Sequence, residues 1–151
     1  MRLLSRRAAL ALGATSAALT FFGPGERASA AAKEAADLIA KFTGGKTAEQ
    51  GKISIELPEI AENGNTVPLS ISVEAPMAPD NYVSDVLVVA DGNPNPGVAA
   101  FQFSSLSGKA EASTRIRLAT TQNIIVVAKT SKAEFFTNQK LVKVTIGGCG
   151  G

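Results

Sequence analysis

Val67-Pro68-Leu69-Ser70-Ile71-Ser72-Val73 alternates apolar and polar residues without a break after Pro68. In an extended chain successive side chains point to opposite faces, so Val67, Leu69, Ile71 and Val73 share one face and the serines the other. A helix would scatter the same residues around its circumference. The stretch is therefore a strand with one buried and one wet face, and Pro68 marks a strand start or a sheet edge. The same period of two recurs on both sides. Ile53, Ile55 and Leu57 alternate with Lys52, Ser54 and Glu56, and Asn63-Gly64-Asn65 supplies the turn between the two runs.

Further along, Val83 to Val89 is a more continuously apolar strand. Phe101 and Phe103 flank Gln102 in a fourth, and Ala112, Thr114, Ile116 and Leu118 alternate with Arg115 and Arg117 in a fifth. Ile124 to Val127 is wholly apolar, and 135–146 contains the last strand. Pro76, Pro79, Asp80 and Asn81 form one loop, and the cluster from Asp91 to Gly97 another. Seven short strands separated by turn signals argue an all-β fold, an immunoglobulin-like antiparallel β-sandwich over residues 52–146. No helical period falls between the strands, which argues against a parallel α/β sheet. The Cys…Trp…Cys signature of antibody domains is absent, since the chain has one cysteine and no tryptophan.

Ahead of the sandwich, Ala31 to Phe42 is alanine-rich, with Leu38, Ile39 and Phe42 on one face and Gly44-Gly45 behind them. This predicts a short amphipathic helix that packs on the domain edge, within a helix-and-linker segment over 31–51. Residues 1–30 read as an export signal. Arg2, Arg6 and Arg7 form a basic start, an apolar run spans Ala8 to Phe22, and Ala28-Ser29-Ala30 is a cleavage motif. Arg6-Arg7 between Ser5 and Leu10 resembles a twin-arginine signal, with Ala9 and Ala11 departing from that pattern; general secretion is the alternative. Either route predicts a periplasmic protein with no stable membrane insertion.

The whole chain carries 15 Lys+Arg and 13 Asp+Glu. Residues 1–30 hold four arginines and Glu26, which leaves 11 basic against 12 acidic residues and a net charge of −1. A near-neutral surface argues against a nucleic-acid partner. Without histidine, no His-based triad, His-ligated haem or His-bearing zinc site can be built. The acidic residues Glu56, Glu59, Glu62, Glu74, Asp80, Asp85 and Asp91 are scattered, and read as solvated strand faces and turns rather than catalytic pairs. Asp91 to Gly97 lacks the acidic density of a calcium loop. Arg115 and Arg117 share a strand face, for which a solvated edge is the plain reading. Phe135, Phe136, Tyr82 and Phe101 read as core or interface.

The final strand runs into Gly147-Gly148-Cys149-Gly150-Gly151, and Cys149 is the only cysteine. Two readings are open: a frayed terminus with an incidental thiol, or a swinging arm that presents one. An unpaired thiol in an exported chain favours the arm. From Ile146 to Cys149 an extended chain spans on the order of 10 Å, and Gly147, Gly148, Gly150 and Gly151 would keep the arm flexible and thin enough to enter a narrow channel.

The export signal, the sandwich, the turn Asn93-Pro94-Asn95-Pro96, the stretch Asn63 to Pro68 and the end Val142 to Gly151 together resemble the SoxY family of bacterial sulfur oxidation. The resemblance covers essentially the whole chain after the signal. It implies a substrate carrier, not an enzyme, with no cofactor and no metal of its own. Cys149 would hold thiosulfate-derived sulfur covalently, first as an S-thiosulfonate and then as a persulfide. The implied partners are SoxZ in a heterodimer, the SoxAX c-type cytochrome, the SoxB manganese hydrolase and the SoxCD sulfane dehydrogenase. A disulfide-linked homodimer through Cys149 is an expected side product. The reading from another class is a structural or adhesive sandwich that dimerises through this cysteine. A ubiquitin-like sulfur carrier also ends in Gly-Gly, but the export signal and the position of Cys149 count against it.

Overall fold

The computed structural model describes residues 24–148, with side chains from Ser29 onward. Arg6, Arg7, Cys149, Gly150 and Gly151 lie outside the described residues.

Helix α1 spans Pro24–Thr43. It begins seven residues before the expected Ala31 and so runs through Ala28-Ser29-Ala30. Proline is preorganised for a first helical position, and the alanines that follow carry the highest helix propensity. The helix stops where Gly44 and Gly45 adopt left-handed φ values of 63° and 78°, with Gly45 N–H donating to the Ala40 carbonyl at 3.0 Å.

Nine strands follow: β1 Glu49–Gln50, β2 Ile53–Glu56, β3 Ile60–Asn63, β4 Val67–Val73, β5 Val83–Ala90, β6 Gly97–Gln102, β7 Ala110–Ile116, β8 Gln122–Thr130 and β9 Phe135–Ile146. One sheet has the order β1-β9-β8-β5-β6, with β3 also paired to β9; the other has the order β2-β4-β7. All seven strands expected from the sequence are present, and the two sheets stack as a sandwich. Two short strands were not foreseen. β1 and β3 both pair with β9 in parallel, Glu49 opposite Phe136 and Ile60 opposite Lys143. Of β3 only Ala61 is buried, so it carries no alternation that a reader of the sequence would notice.

The core lies between the sheets. Val67, Leu69, Ile71 and Val73 of β4 meet Val86, Val88 and Ala90 of β5 and Ile124, Val126 and Ala128 of β8 in one buried cluster. Val89 and Val127 are also fully buried but stand outside that cluster, on the opposite face. There α1 packs against β5, and Phe42 meets the Phe135 ring edge-on at 6.2 Å between centroids. β5 and β8 are thus covered on both faces, which explains their continuous apolar runs.

Phe135 and Phe136 are both buried within the chain, so they do not supply the excess aromatic surface expected for an interface. Among the described residues the large apolar side chains that are exposed are Ile60, Leu106, Leu141 and Ile146. Among the described residues no helix is long and apolar enough to cross a membrane.

Candidate functional site: a docked root for the C-terminal thiol

The site is built upward from one buried side chain. Asn93 is fully buried in the β5–β6 turn. Its Nδ2 donates to the Arg117 carbonyl at 2.8 Å, and its Oδ1 accepts from Ala119 N–H at 2.9 Å and from Gln122 Nε2 at 2.8 Å. Gln122, itself buried, accepts from Gly92 N–H through Oε1 at 2.7 Å. A buried amide whose nitrogen and oxygen are both hydrogen-bonded holds its partners in one arrangement. Here it fixes the backbone of Arg117, Leu118 and Ala119.

That platform and the β3–β4 turn receive the end of β9. Asn65 N–H donates to Asn63 Oδ1 at 2.9 Å, shaping the turn that carries Gly64. Gly64 N–H donates to the Ile146 carbonyl at 2.7 Å, and the Gly64 carbonyl accepts from Leu118 N–H at 2.8 Å. Gly148 N–H then donates to the Leu118 carbonyl at 2.8 Å. Three segments close in a ring of backbone bonds around Gly64.

The glycines are needed there for space. A Cβ on Gly64 would overlap the Leu118 carbonyl oxygen and stand 2.8 Å from the Gly148 nitrogen. A Cβ on Gly147 would overlap the Ala119 carbonyl oxygen, and one on Gly148 would stand 2.8 Å from the Gly64 oxygen. The expected arm spans 147–151, of which Gly147 and Gly148 are the described residues. Gly147 and Gly148 are packed against backbone, and Gly148 is buried. Among the described residues the last one bonded to this platform is Gly148, which immediately precedes Cys149 in the sequence.

Other candidates separate cleanly. Arg115 and Arg117 are exposed side by side, as expected, but it is the Arg117 carbonyl that belongs to the site. Asp91 accepts from the backbone and side-chain amides of Asn123, both at 2.9 Å, so it is a turn residue. Among the described residues no three His, Cys, Asp or Glu side chains converge as a metal-binding group. Sequence reasoning missed Asn93 and Gly64 as site residues. Both were legible as turn residues, and only the tertiary structure shows what the turns support.

A single-domain β-sandwich whose last strand ends in a docked glycine pair, one residue short of the chain's only thiol, defines the class of protein. The chain belongs to the SoxY family: the family model "Sulfur oxidation protein SoxY" matches residues 39–149. The match ends on Cys149. The sulfur carrier protein SoxY from Chlorobium limicola f thiosulfatophilum is 32% identical, with a TM-score of 0.63, over 76% of this chain and 99% of that one. Superoxide reductases have the same fold at lower identity. The Ignicoccus hospitalis neelaredoxin is 16% identical with a TM-score of 0.55, covering 62% of this chain and 80% of its own. The Nanoarchaeum equitans protein is 13% identical with a TM-score of 0.52, covering 64% and 100%. No curated protein matches the chain.

Proposed function

We propose that this protein is a periplasmic carrier of sulfur compounds, acting in thiosulfate oxidation with Cys149 as its covalent attachment point. The observation that carries this is the family match over 39–149, which includes the only cysteine of the chain. The relative from Chlorobium, similar over nearly its whole length, is described as a sulfur carrier. Export directed by Arg6-Arg7 would end at Ala28-Ser29-Ala30, leaving residues 31–43 of α1 on the sandwich.

The chemistry suits a carrier. Joining the Cys149 thiolate to the sulfane sulfur of thiosulfate makes one S–S bond and releases two electrons, which a c-type cytochrome partner of the SoxAX kind accepts. Water then cleaves the S–S bond to the terminal sulfonate group, giving sulfate and a persulfide on Cys149, the step assigned to a SoxB-type hydrolase. A SoxCD-type dehydrogenase would oxidise the persulfide further. An unperturbed thiol has a pKa of about 8.5, so only a small fraction is thiolate at neutral pH. Activation then falls to each partner's pocket, and the carrier stays inert between visits. SoxZ, a second small β protein, is the proposed stable partner.

Intact mass and peptide mapping of protein from cells oxidising thiosulfate test the reading. Every thiosulfonate or persulfide adduct is expected on Cys149. Cys149→Ser should abolish adducts and thiosulfate-dependent sulfate production while leaving the melting temperature unchanged. An adduct elsewhere, or only a disulfide-linked dimer on Cys149, would sink it and favour a structural sandwich that dimerises through its cysteine.

A further inference from the structure

We propose that Asn63-Gly64 is a self-modification site, a latent deamidation point whose reaction is held off by the pairing of β3 with β9. It is the only Asn-Gly pair in the chain. The reaction needs nothing beyond water and hydroxide. The Gly64 nitrogen loses its proton to hydroxide and attacks Asn63 Cγ. The N–Cγ bond forms, the Cγ–Nδ2 bond breaks and ammonia leaves. Water then opens the cyclic imide at either carbonyl, giving aspartate or isoaspartate, with no change of oxidation state. Glycine makes the pair reactive because no Cβ shields its nitrogen. The inference does not rest on the carrier reading.

The electrophile is in place. Asn63 is exposed at the end of β3, and its Oδ1 accepts from Asn65 N–H at 2.9 Å, which folds the amide back along its own chain and polarises its carbonyl. The nucleophile is withheld. Gly64 N–H donates to the Ile146 carbonyl at 2.7 Å, and an amide held in so short a hydrogen bond is free neither to lose its proton nor to turn toward Cγ. Thr145 clasps the same end of the ladder, its hydroxyl 3.2 Å from both the Ala61 and the Glu62 carbonyl oxygens. The cyclic imide has no N–H at Gly64, so the bond to Ile146 must open before the ring can close. The rate in the folded protein is then the rate of the unfolded chain multiplied by the fraction of time that this end of β3 stands open.

Reaction makes the opening permanent. Isoaspartate adds one backbone atom between residues 63 and 64, a displacement of a bond length of about 1.5 Å. Gly64 has no slack for that shift, since even a Cβ there would overlap the Leu118 carbonyl oxygen. The modified turn no longer reaches the Ile146 carbonyl, and β3 loses the bond that ends its ladder. The site is a one-way record of how often this edge of the sandwich has opened.

The test incubates the purified protein at mildly alkaline pH and reads deamidation by peptide mapping, with isoaspartyl methyltransferase labelling to separate the two products. The same protein in denaturing urea gives the ungated rate. Deamidation at Asn63 should be slower in the folded protein by about tenfold or more. Thr145→Val removes the hydroxyl clasp and leaves the Asn-Gly pair untouched, so it should raise the folded rate about threefold or more and leave the rate in denaturing urea unchanged. Sub-denaturing urea opens the same end without any substitution, and there Gly64 amide exchange, followed by NMR, and deamidation should rise in parallel. That measurement decides if Thr145→Val does not fold. Equal rates in the folded and unfolded protein would overturn the proposal, because the bond to Ile146 would then hold nothing back. So would Gly64 exchange that accelerates, in the variant or in sub-denaturing urea, without faster deamidation, because opening would not be the gate.

Discussion

At the scale of single residues, Asn93 is the side chain on which the site depends most. Replacing it by alanine would take a partner from the part-buried Arg117 carbonyl and Ala119 N–H and from the buried Gln122 amide. An orphaned buried polar group costs on the order of 1–3 kcal/mol, so Asn93→Ala should destabilise the sandwich by about 3 kcal/mol in urea unfolding. A loss below about 1 kcal/mol would mean that water replaces the amide and that the platform is not held by it. Asn93 was invisible in the sequence because asparagine beside proline and glycine is ordinary turn chemistry, and nothing local says that its side chain points inward. Cys149 was legible for the opposite reason: it is the only thiol, and its significance needs no tertiary contact to be noticed. Gly147 and Gly148 fall between these cases. Their residue type was read as flexibility and slenderness, and the structure adds that a Cβ at either position would meet neighbouring backbone.

At the scale of elements, β9 organises the molecule. It pairs with β8 along one side and with the short parallel strands β1 and β3 along the other. Lys140 Nζ and Asn138 Nδ2 also reach across to the Leu57 and Ile53 carbonyls, at 2.8 and 2.7 Å. Its end is stabilised by the Gly148–Leu118 bond. A chain ending at Gly148 should therefore melt higher than one ending at Ile146, by about 1 kcal/mol or a few degrees, in differential scanning calorimetry. Equal melting temperatures would show that the root contributes nothing to the fold. The helix gives a contrasting case. Asp37 holds the Lys33 ammonium above its ordinary 10.5, chiefly through a 2.8 Å hydrogen bond and then through its charge. Both side chains are exposed. A lysine pKa raised on folding favours the fold below 10.5, and that contribution is lost as pH rises through the raised value. Asp37→Asn should thus shift the melting temperature by less than about 1 °C at pH 7, because exposed pairs are weak. The alternating strands were all readable from their period. β1 and β3 were not, since two or four residues with at most one buried side chain carry no period, and their pairing is decided by β9, far away in sequence.

At the scale of the whole molecule, the question is which surface a stable partner would cover. Phe135 and Phe136 are buried and Tyr82 and Phe101 are only half-exposed, so the exposed apolar side chains are the better candidates. Leu141 is 52% exposed on β9, and Ile60 is 57% exposed on β3, opposite Lys143 and so two residues along β9 from Leu141. Ile146, 67% exposed, lies farther along the same strand, next to the docked glycines. A second small β protein seated over Ile60 and Leu141 would bury apolar surface at the β3–β9 edge while leaving the chain's exit at the rim, open to other enzymes. Apolar anchors near an interface centre contribute disproportionately to binding. Leu141→Asp should accordingly weaken association with a SoxZ-type partner by about tenfold or more, about 1.4 kcal/mol, because a carboxylate would be desolvated there. Its own fold should hold, since the side chain is already half in water. Light scattering after size exclusion, with a titration of partner into each variant, separates the outcomes. Unchanged affinity with Leu141→Asp would place the partner elsewhere on the sandwich. A persistent monomer of the unaltered protein at micromolar concentration, with partner present, would remove the heterodimer itself.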